Sequence, residues 1–136
     1  MKRIIYCLSA IALILAWSCS ADAKGKHYVI GFYNLENLFD TYHDEGKNDY
    51  QYLPDGSNNW TEAKYEKKLH NMASVIRAMA DDNGRFHTIL GVSEIENRHV
   101  LEDLVSQPEI ADANFQIVHY DGPDRRGVDE IGRAHV

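Results

Sequence analysis

Phe32-Tyr33-Asn34-Leu35-Glu36-Asn37-Leu38-Phe39-Asp40 and Gly91-Val92-Ser93-Glu94-Ile95-Glu96-Asn97-Arg98 are the two stretches whose reading decides the fold. Each opens as an apolar run with β character and stops abruptly in amides and carboxylates. That is how a strand delivers polar groups to the rim of a sheet. The run from His27 to Tyr33 is rich in β-branched and aromatic residues and reads as a mostly buried strand. His87 to Val92 reads as a second buried strand, ending at Ser93-Glu94. Two such rims together suggest a metal site.

Between the strands lies the clearest helix of the chain. Tyr65, Leu69, Met72, Ile76 and Met79 recur at helical spacing and form one apolar stripe suited to packing on a sheet. Thr61 is placed to cap the helix, Glu62 favours its N-terminus, and Gly84 follows its end. Asp40 to Asn59 has little periodicity and many Asp, Asn, Gly and Pro residues, so it reads as a long solvated surface loop. Its oxygens do not fit a calcium loop: counted from Asp40 the sixth position is Glu45, and counted from Asp44 it is Asp49, where glycine is required. Further on, Val100 to Val105 reads as a short helical turn closed by Pro108. Asn114 to Tyr120 alternates as a strand, and Asp121 to Asp124 is a turn. Alternating strands and helices predict an α/β class.

The ordered set FYNLENLFD, Trp60-Thr61, SEIENR and HYDGPDRRGVD resembles the endonuclease/exonuclease/phosphatase superfamily, in particular a secreted bacterial subgroup. The resemblance runs from about His27 to Asp129. It implies a two-sheet β-sandwich flanked by helices, the four-layer DNase-like fold, and a metal-dependent phosphoesterase. By the same resemblance Asn34 and Glu94 sit at a divalent cation, Mg²⁺ or Mn²⁺, beside the scissile phosphate. The family completes its site with an Asp-x-Asn or Asn-His pair on a later strand and a His paired with an Asp near the C-terminus. No segment of this sequence matches those motifs.

The residue chemistry agrees with that implication. A hard cation held by one or two carboxylates keeps positions for water and phosphate, and it neutralises charge gathering on phosphoryl oxygens. Glu94 suits that role. The Asn34 amide can ligate the cation through its oxygen or orient a neighbouring carboxylate through its NH₂. Asn97 and Arg98 could reach a substrate phosphate as the chain leaves the site. Arg125 and Arg126 could clamp phosphate oxygens in fork geometry, or simply form surface salt bridges. Glu36 and Glu96, each two positions past a proposed ligand, read as exposed carboxylates in preference to supporting groups. His119 reads as packing or surface.

After Arg126-Gly127-Val128-Asp129 the family pattern calls for an apolar strand. The chain instead reads Glu130-Ile131-Gly132-Arg133-Ala134-His135-Val136, which is what a common sequencing adapter encodes when translated to its stop. We therefore expect residues 24–129 to be the N-terminal part of a longer domain, about its first half, and 130–136 to be a non-native tail. A natural polar tail is the alternative. A fragment without the acid-base motifs is expected to be inactive by itself, since such groups contribute ~10²–10⁴-fold.

Lys2 and Arg3, the apolar stretch Ile4 to Trp17, and Ala21-Asp22-Ala23 compose a signal peptide over residues 1–23. A lipoprotein signal ending before Cys19, which would tether the chain to a membrane through a lipidated cysteine, is the competing reading. Either way the expected destination is outside the cytoplasm: periplasm, cell surface or medium. Both cysteines, Cys7 and Cys19, fall in this segment, so cleavage after Ala23 leaves neither a disulfide nor a thiol nucleophile. Fourteen Lys+Arg against 21 Asp+Glu give a net charge of −7, which argues against a general nucleic-acid binder. A bound cation would still let an acidic protein take a phosphodiester, from nucleic acid or a small molecule. A non-catalytic exported binding module and a phospholipid-directed phosphodiesterase are the alternatives.

Overall fold

The computed structural model describes residues 25–128 and 132–135. The expected signal segment 1–23, with Cys19, lies outside the described residues, as do 129–131 and 136. The chain forms β1 (Ile30–Leu38), α1 (Glu62–Asn83), β2 (Ile89–Ile95), α2 (Arg98–Val105), β3 (Gln116–His119) and β4 (Gly132–His135), with 3₁₀ turns at Tyr50–Tyr52 and Ala111–Ala113.

The strands make one four-stranded mixed sheet in the order β1-β2-β4-β3. β1 and β2 run parallel, with Ile30 opposite Ile89 and Asn34 opposite Ser93, and β4 pairs antiparallel with both β2 and β3. A parallel pair needs a crossover, which α1 supplies. Within 132–135, read from the sequence as tail, the backbone makes strand pairs. Ladder bonds are made by main-chain groups whatever the side chains. The described residues thus form a mixed α/β unit with a single sheet; the second sheet of the expected sandwich is not among them.

The helical stripe packs as its spacing predicts. Tyr65, Leu69, Met72 and Ile76 are buried with Ala73 and Ala80, Met79 is partly buried, and Gly84 closes the helix at φ +69°. Against them lie Leu35 and Leu38 of β1, Leu90, Val92 and Ile95 of β2, and Val100, Leu101 and Leu104 of α2. All of this core lies on one side of the sheet.

Two readings of the sequence are corrected here. β1 is not a mostly buried strand starting at His27: it starts at Ile30, continues through Asn34 to Leu38, and leaves Ile30 and Phe32 73% and 66% exposed. Its period-two alternation sends Leu35 to the helices and Ile30 and Phe32 to the other face, which no described element covers. The segment from Asp40 to Asn59 is not a plain solvated loop either. Asp40, Thr41 and Asp49 are buried within it. The Asp49 carboxylate accepts the Asp44 N–H at 2.8 Å and meets His43 Nδ1 at 2.5 Å, partners that make its burial tolerable.

Candidate active site

Both strand exits break their regular pleat at the polar residues. From Asn34 to Leu38 β1 takes four residue steps, while β2 covers the matching distance in two, from Ser93 to Ile95. The surplus is a bulge containing Glu36 and Asn37, whose φ values are +51° and +57°. Glu94 is left-handed as well, at φ +58°. Non-glycine residues in this region cost on the order of 1–3 kcal/mol each and gather where geometry serves function.

The left-handed turns bring the pair together. Asn34 Nδ2 donates to Glu94 Oε1 at 2.8 Å, and Asn34 Oδ1 accepts the Glu36 N–H at 2.7 Å. The second contact decides the orientation of the amide, since a backbone N–H can face only the oxygen. Of the two uses the sequence allowed Asn34, this arrangement is the one in which its NH₂ orients a carboxylate. Glu94 Oε2 accepts no hydrogen bond among the described residues, and the pair lies on the solvent-accessible rim.

The other predicted residues fall into separate settings. Asn97 caps α2, its Oδ1 accepting the Val100 N–H at 3.1 Å, while its Nδ2 donates to Asp44 at 3.1 Å and Asp40 at 3.3 Å. Arg98 is exposed and bonded to Glu102 Oε1 at 2.8 Å, an i,i+4 pair on α2. Arg125 is exposed, and its carbonyl accepts the Asn48 N–H at 2.8 Å. Arg126 is held by Asp124, Nη2 to Oδ2 at 2.8 Å, and its charge lies within electrostatic reach of Glu94. It also lines an open groove of about 580 Å³ with Asn48, Tyr50 and Gln51.

Two residues were missed or misread. Glu96 is not an exposed carboxylate: it is 3% exposed and accepts the Asp40 N–H at 2.8 Å. Burial, with Asp40, Asp44 and Asp49 nearby, pushes its carboxyl up to about 8. Glu36, by contrast, is exposed as expected. Lys68 is partly buried beside the site, donating to the carbonyls of Glu36 and Asn37, and its pKa is lowered by burial while Glu36 and Glu94 act in the opposite sense. Its signal was legible: position 68 lies three after Tyr65 and four before Met72, so this lysine stands within the apolar stripe.

Among the described residues no group of three or more His, Cys, Asp and Glu side chains converges on a metal position. The donors at the rim fit a hard, largely hydrated cation on one or two carboxylates, as Mg²⁺ prefers, and not a closed protein cage. Comparison with known proteins finds that the model of the endonuclease/exonuclease/phosphatase family matches residues 29–132. No curated protein and no solved structure matches the chain.

Proposed function

The chain belongs to the endonuclease/exonuclease/phosphatase family, a family of phosphodiesterase- and nuclease-type hydrolases, and from that premise we propose that it is an exported, metal-dependent hydrolase of phosphodiester bonds. The observation that carries the site assignment is the 2.8 Å bond from Asn34 Nδ2 to Glu94 Oε1 across adjacent strand exits. Glu94 holds Mg²⁺ or Mn²⁺, and Asn34 aims the carboxylate by taking one of its oxygens. A cation bound there neutralises phosphoryl charge and lowers the pKa of a water. Arg126 places a positive charge within electrostatic reach of Glu94. Nucleic acid or a small phosphodiester is the substrate class. Export rests on the basic, apolar and small-residue order of residues 1–23.

The test is Glu94→Gln in the complete protein, which keeps shape and loses the charge that attracts a cation. Magnesium-dependent cleavage of a chromogenic phosphodiester should disappear while the thermal melt stays in place. Wild-type turnover with unchanged magnesium dependence would make Glu94 a rim residue only.

A further inference from the structure

We propose that Lys68 is a positioning residue for the Asn34–Glu94 pair, acting through the β1 bulge. Its Nζ donates to Glu36 O at 2.5 Å and to Asn37 O at 3.0 Å, so one ammonium holds both surplus residues of the bulge. Both are left-handed, and consecutive residues of like dihedrals point their carbonyls the same way, which lets a single cation reach the two. The Trp60 ring lies 5.6 Å from Nζ, and its own Nε1 is fixed by the Phe39 carbonyl at 2.9 Å. The ammonium is therefore confined from the helix side and the ring side.

The relay from Lys68 to the carboxylate is continuous. Lys68 pins Glu36 by its carbonyl, the N–H of the same residue meets Asn34 Oδ1, and the oxygen so engaged leaves Nδ2 facing Glu94. If the bulge shifted once its carbonyls lost Lys68, the Glu36 N–H would move off Asn34 Oδ1. The Asn34 amide would then lose the contact that distinguishes its two ends. A lysine within an apolar helix stripe is thereby explained by what it holds, not by solvent exposure.

This inference rests on the reading of Glu94 as the cation-holding group, so its test separates the two. Mn²⁺ alone is titrated into the purified complete protein to obtain its affinity, and the Asn34 side-chain amide is followed by NMR in the metal-free protein. Lys68→Met should weaken Mn²⁺ binding by about 10-fold, as loss of a supporting contact typically does, and shift the Asn34 amide resonances. Lys68→Arg, which restores a cation and its donors, should recover most of the affinity. If Lys68→Met does not fold, Lys68→Gln carries the same comparison. A lower melting temperature with wild-type Mn²⁺ affinity and unshifted Asn34 resonances would leave Lys68 a structural residue and overturn the inference. Loss of binding in Glu94→Gln with none in Lys68→Met overturns this inference alone; wild-type binding in Glu94→Gln overturns both.

Discussion

Glu96 Oε2 accepts the backbone N–H of Asp40 at 2.8 Å, and the Glu96 N–H donates to Leu38 O at 3.0 Å. The two contacts join the strand exits beyond the last ladder pair, Leu38 opposite Ile95. They fix how far apart the chains carrying Asn34 and Glu94 diverge. A carboxylate serves here as a main-chain clamp behind the site, and its burial raises its proton affinity.

That burial sets a pH dependence. The folded-state pKa of Glu96, about 8, lies above the ordinary 4.5, so the folded protein holds more protons than the unfolded chain between those values. Its contribution to stability is therefore greatest below about pH 4.5 and is lost as pH rises toward 8. Glu96→Gln keeps an acceptor for Asp40 without the charge. In melts with chelator present it should exceed wild type by about 5 °C at pH 9, with the gap closing by pH 5. An equal gap at both pH values would show that the charge of Glu96 is not the cause.

Gly31 faces the buried His87 ring, and a methyl group at Gly31 would sit 2.6 Å from His87 Cδ2. Gly31→Ala should cost about 2 kcal/mol by overpacking, and His87→Ala in the same chain should return most of it. Purely additive losses in chemical denaturation would place the strain elsewhere.

Asn34→Ala should lower magnesium-dependent turnover by roughly 10–100-fold, less than Glu94→Gln, because the carboxylate remains but is no longer aimed. Glu36→Gln should be nearly silent, since Glu36 acts through its backbone N–H and carbonyl. A large loss in Glu36→Gln would assign its side chain a direct role.

The sheet face bearing Ile30 and Phe32 is open among the described residues, and an apolar patch of that kind binds environment-sensitive dyes. In the 136-residue chain, Ile30→Thr with Phe32→Thr should reduce dye fluorescence while leaving the melting temperature within a few degrees, roughly as for other surface changes. Undiminished fluorescence would mean that the dye reads some other surface.

Local pattern was enough to find α1, because a 3.6-residue stripe and a terminal glycine are properties of contiguous residues. It also marked where both strands turn polar, since a switch from apolar to polar side chains is written in order along the chain, and the family resemblance singled out Asn34 and Glu94 there. Tertiary structure decided the rest. Whether β1 is covered on both faces depends on what packs against it, not on its own apolarity, and Ile30 and Phe32 have the composition of a core without its burial. The Asn34 NH₂ meets Glu94 60 residues on, the carbonyls of the left-handed bulge are met by Lys68 from a helix 31 and 32 residues away, and the raised pKa of Glu96 comes from its burial against the segment that carries Asp40, Asp44 and Asp49. Each is a contact between segments distant in sequence, and no local period encodes such a meeting.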